Sequence, residues 1–402
     1  MNAPLIRKLW LAASYFTLVS AVPGQSLSPG AVARSINPAL LYWQSMGMLT
    51  DMTRQEQQLL QKYRNGKEVR PEEMADLLGT QKPSLNRFQK ASESKAPSDW
   101  GFTLEDGPFM PLPHLTKMQV LCNLMLLKAD SQFASGDTED AVDTLFAVLR
   151  AARHLGEGDM LVTALTQYTT ESQVIALLGR HVLNFNEPLR VATLTRWRAL
   201  PPLHTTAQAV KGERGFTAWA EQQATEVAGL MALQKMAEAG TGEEGQGGAT
   251  SPSAEPTPAI GGGGHLYADL TPELLQVWIT EMRARYDEAE AALALPWKES
   301  ATAIQTLQTK LKGSNALVRT IFPSLQAARD TQARTETQRT MMEAVLQHGA
   351  GLQENTVAIF RDSFEGKALG MRKESDGGFS LTSEQKVRNR EVVLRVAGAK
   401  GR

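Results

Sequence analysis

Three successive amphipathic segments occupy residues 114–183, and this run constrains the fold more than any other part of the sequence. In the first segment, residues at i, i+3, i+4 and i+7 spacing form one apolar helical face: Met118, Leu121, Cys122, Met125, Leu126, Ala129 and Phe133. The second segment repeats this period: Ala141, Val142, Leu145, Phe146, Leu149 and Ala152. Gly136 ends the first helix and Asp137 or Thr138 caps the second, so the two helices must lie antiparallel. The sequence therefore predicts an all-α protein built from antiparallel helical hairpins.

The chain is long enough for more than one helical layer. Its 402 residues exceed one ordinary domain and can bury a large core. The stretch from Gly240 to Gly264 is rich in Gly, Ser, Pro, Thr and Glu, a composition with too little apolar surface to offset the entropy of ordering it. The predicted organisation is a helical domain at 25–238, a disordered low-complexity linker at 239–264, a helical region at 265–360 that packs on the first, and a small β-unit with a basic tail at 361–402.

Glycine and proline positions predict several helix boundaries. The segment after residue 70 is predicted to form two helices, opened by Pro71 and Pro83, with Gly79 ending the first. Thr206 is predicted to open one long helix that continues to residue 238.

The C-terminal part of the chain changes its pattern to short runs of strand length. These runs are residues 368–373, 379–383 and 392–396, and a turn-forming stretch from Ser375 to Gly378 joins the first two. The third run fits either a strand or the end of a helix. We expect a small β-meander at one end of the helical body.

The N-terminus has the pattern of an export signal. Arg7 and Lys8 precede the uncharged run from Leu9 to Val22, and Val19 and Ala21 occupy plausible cleavage positions. Residues 1–24 are therefore predicted to be a signal peptide, which places the mature protein in the periplasm or outside the cell. The alternative is an uncleaved segment that anchors the protein to the inner membrane, although the run is short for a spanning helix.

Charge and cysteine content exclude several classes of function. The 42 basic and 43 acidic residues nearly cancel, which offers no electrostatic footprint for nucleic acid. Contact with a membrane is expected only through an uncleaved N-terminal segment. The single cysteine, Cys122, lies on an apolar helical face and is predicted to be a small core residue. No metal-ligand or cofactor motif occurs in the sequence, so we expect no cofactor.

The densest polar cluster lies between residues 99 and 114. It comprises Asp99, Trp100, Glu105, Asp106 and His114. Carboxylates beside an aromatic ring could bind or hydrolyse a glycan, with Trp100 stacking on a sugar, and a carboxylate with a histidine could bind a divalent metal ion. The competing interpretation is turn chemistry, because Asp99 and Asp106 stand next to turn positions where Asp side chains bond their own backbone.

Other ionisable residues have structural interpretations. His154 and His181 lie near predicted helix C-termini, where the helix dipole favours a partly charged imidazole. Glu213 and Arg214 could place a paired charge inside the bundle, but a solvated helix face explains them more simply.

One helical hairpin has the residue pattern of a tetratricopeptide repeat. Ala129, Ala141 and Leu145 match the small and large positions of that repeat. A shift of about 34 residues does not reproduce the pattern. The hairpins are therefore predicted to be TPR-like in shape but irregular.

Six stretches of the chain together resemble one known family. They are residues 36–44, 98–117, 146–167, 200–214, 314–330 and 362–381. This combination resembles a family of exported, mostly helical bacterial proteins of unknown function. The last stretch is similar to a small β-unit at the end of secretion pseudopilins, with Ser363 and Ala368 where that pattern has prolines. The resemblance implies fold and export but no catalytic residues.

These observations favour a non-catalytic exported binding or scaffold protein of the cell envelope, with a protein or peptide partner. The alternative is a glycan-binding protein or hydrolase that uses the loop from Asp99 to His114. The two differ in what they require of the loop: an enzyme needs its carboxylates to converge on a pocket, and a scaffold needs only a self-bonded turn.

Overall fold

The computed structural model describes residues 36–225 and 271–398, apart from positions 68, 70, 109 and 323. The predicted signal segment at 1–24, the predicted linker at 239–264, the helix predicted for 226–238 and the last four residues of the basic tail lie outside the described residues. The described residues from Asn37 onward belong to one compact unit.

The described chain is mostly helical. Its helices are α1 (Pro38–Gly47), α2 (Arg54–Arg64), α3 (Pro71–Ser92), α4 (Pro113–Ser135), α5 (Thr138–Gly156), α6 (Leu161–His181), α7 (Glu187–Arg198), α8 (Thr206–Glu213), α9 (Phe216–Thr225), α10 (Pro272–Ala294), α11 (Trp297–Lys312), α12 (Ala316–Ile321), α13 (Leu325–His348) and α14 (Glu354–Val357). Short 3-10 turns lie at Leu104–Asp106, Val182–Asn184 and Gly349–Gly351. With a small C-terminal sheet, this architecture confirms the predicted fold class.

The predicted central hairpins are present. Helix α4 ends at Gly136, which adopts a left-handed φ of +90° that favours glycine. The N–H of Asp137 then bonds the carbonyl of Gln132 at 2.9 Å, which closes the turn into α5. Helices α4 and α5 pack against each other, as do α5 and α6.

Two apolar clusters make up most of the core. One contains the buried side chains of α1, α3, α4, α5 and the C-terminal β-unit, and the other contains those of α8 to α12. Helices α6 and α13 contribute to both: Tyr168 belongs to the second cluster and Val174, less than two turns later, to the first. These two helices therefore join the N-terminal and C-terminal layers.

Polar side chains cap some of the helices, whereas Asp137, at the N-cap position of α5, forms no side-chain capping bond. The side chains of Asn186 and Thr271 accept from the N–H of the third residue of the helices that they precede. Thr205, rather than Thr206, caps α8, where its side chain forms a reciprocal capping box with Gln208. Thr53 and Glu56 form a second capping box at α2.

The two helices predicted after residue 70 are in fact one. Residues Pro71–Ser92 form one helix that continues through Gly79 and Pro83. An internal proline removes one helical hydrogen bond, but Phe88 is fully buried and Ser84 donates to the carbonyl of Ser45 at 2.7 Å, so tertiary packing outweighs that loss.

The helix that was predicted to continue to residue 238 is instead interrupted between α8 and α9. Glu213 ends α8 and Phe216 begins α9. At Gly215 between them, a Cβ would lie 2.4 Å from the side chain of Leu104. The break therefore lets the chain pass close beside the loop that precedes α4.

The C-terminal unit is the predicted antiparallel meander, with strands β1 (Gly370–Lys373), β2 (Phe379–Val387) and β3 (Arg390–Val396) in that order. The third run is thus a strand. Sheet and helices are joined through β3: the N–H of Ala397 donates to the carbonyl of Gly179 on α6 at 3.1 Å, and the amide of Gln338 on α13 donates to Val393.

A buried aspartate builds the turn before the sheet. One carboxylate oxygen of Asp362 accepts the N–H groups of three successive residues, Phe364, Glu365 and Gly366, and the other accepts the hydroxyl of Ser383. Asx-type bonding by Asp362 therefore sets this turn.

Candidate functional site

The polar cluster predicted as a site lies on the loop that enters α4, and its histidine is the most deeply placed member. His114, in the first turn of α4, has no exposed surface. Its ring is 4.3 Å from that of Phe102, 4.9 Å from that of Trp100 and 6.1 Å from that of Trp43. Burial lowers the pKa of His114 to about 4, so the imidazole is neutral near pH 7. His114 therefore packs as an aromatic side chain.

Trp100 is fixed from two sides. Its ring stacks on Tyr42 of α1 with centroids 5.7 Å apart and an interplanar angle of 15°. Its indole N–H donates to the backbone carbonyl of His154 at 2.9 Å. Only 5% of its surface is exposed, which leaves little of the ring for a sugar to stack on.

The carboxylates of the cluster are engaged in local turns. Asp99 accepts the N–H of Gly101 at 2.9 Å, and its own backbone bonds the side chain of Asn37 through both N–H and C=O. Asp106 ends the 3-10 turn and accepts the hydroxyl of Thr103 at 3.5 Å. Both aspartates are exposed, and the side chain of Glu105 lies outside the described structure.

A second set of bonds ties the start of this loop to the end of α5. Ser98 donates through its N–H to the carboxylate of Glu157 at 2.6 Å, and its hydroxyl contacts both Glu157 and the carbonyl of His154. The imidazole of His154 bonds the hydroxyl of Tyr42 at 3.0 Å. Burial lowers the pKa of His154, so the predicted cationic role at the helix end does not apply to it.

His181, the other predicted cap, ends α6 beside a carboxylate. Its Nε2 lies 3.3 Å from Asp130 on α4, and its ring stacks on Phe133 at 4.1 Å. Burial opposes ionisation of Asp130, but the hydrogen bond to His181 and the charge of Arg180 outweigh it and lower the pKa of that carboxyl.

The strongest concentration of buried charge lies elsewhere, where α5, α6 and α13 meet. Arg153 bonds Glu171 at 2.7 Å, and Arg339 contacts the same carboxylate oxygen. Glu171 has no exposed surface, and burial lowers the pKa of Arg153 to about 10 although Glu171 opposes that shift. The guanidinium of Arg339 also lies 4.8 Å from the ring of Trp197. This network crosses the junction between the two apolar clusters.

Glu213 is a further buried carboxylate, and the prediction of a solvated face is wrong for it. It leaves 8% of its surface exposed and accepts the N–H of Leu161, the first residue of α6, at 2.8 Å. Burial raises the pKa of Glu213 to about 7, although the bond from Leu161 opposes the shift. Arg214, the next residue, does reach the surface and pairs with Asp287 at 2.7 Å.

Sequence reasoning missed these buried charges because each needs a partner on a distant part of the chain. Arg153 follows the apolar stripe of α5 directly, and Glu171 interrupts the apolar spacing of α6. A charged residue at a position where a helical stripe predicts an apolar one was the available signal.

A cavity of about 450 Å³ opens where the α4–α5 turn faces the start of α7. It is lined by Gly136, Asp137, Thr138, Glu139, Asp140, Asn184, Phe185, Asn186 and Leu189. The acidic residues of the first turn of α5 complement the positive end of that helix. None of the sequence-predicted site residues lines this cavity.

Cys122 is a buried core residue, as predicted. The thiol of Cys122 is buried, and burial raises its pKa to about 12. Across the described ranges, no group of three or more His, Cys, Asp or Glu residues is arranged to hold a metal ion. No described helix is both long and apolar enough to cross a membrane.

Comparisons with protein-family models, with curated proteins and with solved structures found no match. The resemblance to exported helical proteins of unknown function therefore stays a prediction from the sequence.

Proposed function

We propose that this protein is a non-catalytic binding or scaffold protein of the bacterial cell envelope. The observation that carries the proposal is the bonding of the loop from Ser98 to His114. Trp100 and His114 are buried in the core, and Asp99 accepts a bond within its own turn. A loop bonded in this way holds helices together and offers a substrate little to contact.

The proposed partner is a protein or peptide that enters the cavity between the α4–α5 turn and α7. Its volume of about 450 Å³ suits one or two side chains of a partner. Phe185 and Leu189 supply apolar contact, and Asn186 and Glu139 supply polar contact. Most of the lining is polar or acidic, as in the rim of a protein interface, where polar groups orient the partner.

Photo-crosslinking in living cells tests this function. A photoreactive amino acid replaces Glu139 at the cavity, and the matched control carries it in place of Gln305, an exposed residue of α11. We expect one reproducible adduct from position 139 and none from position 305. The absence of an adduct from 139, with 186 and 189 equally silent, would contradict the proposed partner site.

Export is part of the proposal and has its own test. The charged and apolar order of residues 7–22 supports a signal that is removed, as does the resemblance to exported proteins. We expect the mature protein in the periplasmic or extracellular fraction, with an N-terminus generated after Ala21. An unprocessed N-terminus in the membrane fraction would favour permanent anchoring in its place.

The alternative role in glycan binding or hydrolysis receives less support from the geometry. It would need Trp100 to leave its stack on Tyr42, and the two exposed aspartates to act with a histidine that is fully buried.

A further inference from the structure

His114 is a titratable side chain in a site that offers its charged form nothing. It has no exposed surface, and neither ring nitrogen has a hydrogen-bond partner within the described structure. The rings of Phe102 and Trp100 lie 4.3 and 4.9 Å from it. Burial alone lowers its pKa to about 4, and no neighbouring charge offsets the loss of solvent. The site therefore accommodates only the neutral imidazole well.

The place of His114 in α4 also disfavours a positive charge. His114 is the second residue of this helix, which runs for 23 residues from Pro113. The first turn of a helix carries the positive end of its dipole, and a cation there is unfavourable. No acidic residue lies in this first turn to compensate. Protonation would thus meet the opposition of burial and of the helix dipole together.

A second buried histidine lies beyond the next two rings. The ring of Tyr42 is 5.7 Å from that of Trp100 and 5.8 Å from that of His154. The hydroxyl of Tyr42 also bonds Nδ1 of His154 at 3.0 Å. Burial lowers the pKa of His154 as well. The aromatic stack formed by Phe102, His114, Trp100, Tyr42 and His154 thus contains two imidazoles that favour the neutral form.

The charged groups beside this stack belong to α5. Glu157 raises the pKa of His154 and Arg150 lowers it, whereas neither of them shifts the pKa of His114. Helix α1, on the other side of the stack, has no charged residue. Two further ionisable groups stay neutral in acid because burial raises their pKa: Tyr42 and Cys122. His114 is therefore the group whose charge is least compensated.

The loop that contributes Trp100 and Phe102 to the stack can move without the helices. Among the described residues of 98–112, the only regular element is the 3-10 turn at Leu104–Asp106. Ser98 and Trp100 tie this loop to the carbonyl of His154, at the end of a helix that runs unbroken from Thr138 to Gly156. A segment with few backbone bonds of its own opens at a lower free energy than a packed helix.

We propose that protonation of His114 releases this loop from α1 and α5, so that acidification opens the aromatic stack. In the open loop the imidazole reaches water and binds a proton as an ordinary histidine does. The closed loop is therefore fully favoured above about pH 6.5, and this preference is lost as the pH falls from 6.5 towards 4. Complete protonation raises the ratio of open to closed loop by up to about 300-fold. This acid response does not depend on the partner cavity beside α7.

Amide hydrogen exchange of the full-length chain at pH 7 and pH 5 tests the response. After correction for the intrinsic pH dependence of exchange, residues 98–112 should exchange about twentyfold faster at pH 5. Residues 142–152, in the middle of α5, should keep their protection and serve as the internal reference. An unchanged loop, or an equal rise in the two segments, overturns the proposal.

His114→Phe keeps an aromatic ring that cannot be protonated, so its loop should stay closed at pH 5. The control His348→Phe replaces a half-buried histidine at the end of α13, 6.1 Å from the ring of Phe360, and should respond like the unmodified chain. An equal acid response of His114→Phe and the unmodified chain overturns the proposal. Should phenylalanine prevent folding, the unmodified chain still decides: loop opening should rise by up to about tenfold for each pH unit between pH 6 and 4.5, and a flat profile contradicts the proposal.

Discussion

The indole N–H of Trp100 donates to the backbone carbonyl of His154 across 2.9 Å, which joins the loop before α4 to the last turn of α5. The same carbonyl contacts the hydroxyl of Ser98. The last carbonyls of a helix have no partner within the helix, so the loop supplies one. This bond makes Trp100 part of the hairpin framework.

Trp100→Phe tests this structural role. The substitution keeps an aromatic ring but removes the indole donor to the carbonyl of His154, which still contacts the hydroxyl of Ser98, so the free energy of unfolding should fall by about 0.5–1.5 kcal/mol, the net contribution of one hydrogen bond. Denaturant unfolding measures the change. The matched control is Trp43→Phe, since Trp43 is half-buried and, within the described structure, its ring packs near His114 and its indole N–H donates no hydrogen bond. Equal losses in the two variants would mean that the bond to His154 is unimportant.

Glu213→Gln should change how stability depends on pH. The carboxyl has a pKa of about 7 in the folded chain against 4.5 ordinarily, so its favourable contribution is present below about pH 4.5 and is lost as the pH rises through 7. Glutamine keeps an oxygen for the N–H of Leu161 and cannot ionise. The variant should match the unmodified chain near pH 4.5 and exceed it by roughly 3 kcal/mol above pH 8.

Urea unfolding at several pH values measures that difference, and Glu290→Gln is the control. Glu290 is partly exposed and pairs with Lys211 at 3.8 Å, so its removal should leave the pH profile unchanged. A constant offset between Glu213→Gln and the unmodified chain at every pH would show that the buried carboxyl does not titrate in this range.

Glu171→Gln should be strongly destabilising. The substitution leaves the guanidinium of Arg153 buried without its counter-charge and weakens the contact of Arg339. Removal of one partner of a buried ion pair costs about 3–5 kcal/mol of unfolding free energy. Glu343→Gln breaks the exposed pair with Arg198 and should cost less than about 1 kcal/mol. Thermal unfolding of both variants gives the comparison, and similar melting temperatures would contradict the importance of the network.

Gly179→Ala tests the docking of the sheet on α6. A Cβ at this position would lie 2.6 Å from the backbone oxygen of Arg395, so the strand must move away. Within α3, Gly79→Ala meets nothing within 4 Å and should stabilise by about 0.5–1 kcal/mol because alanine favours the helix. We expect opposite signs in unfolding free energy, and faster amide exchange in β3 for Gly179→Ala only. Stabilisation by both changes would mean that the sheet is not held at this point.

The sequence predicted the hairpins from α4 to α6 because their apolar spacing, the glycine at 136 and the short turn all indicate the same structure. The caps at Asn186 and Thr271 were predictable for a similar reason, since capping depends on residues within one turn. The helix through Pro83 was not, because burial of Phe88 and the bond from Ser84 to Ser45 outweigh a local breaking signal.

The loop from Ser98 to His114 was also predictable only in its local features. Turn chemistry at Asp99 was one of the two interpretations that the sequence allowed, and the bond to Gly101 is local. The burial of His114 and the bond from Trp100 to His154 depend on helices more than 40 residues apart, and no spacing within the loop indicates them. Buried Glu171 was missed and Glu213 was assigned to a solvated face, because the sequence of one helix does not show which other helices cover a charged side chain.

The most direct test of the structural role of the loop measures glycan binding and melting temperature on the same variants. The unmodified chain, Asp99→Asn with Asp106→Asn, and Trp100→Phe are each screened against a glycan panel and then melted. If the loop only holds helices together, no glycan binds the unmodified chain, and Trp100→Phe melts lower while the double Asn variant melts within a few degrees of the unmodified chain. The structural role of the loop would be contradicted if a glycan bound the unmodified chain saturably and the double Asn variant lost that binding without any change in melting temperature.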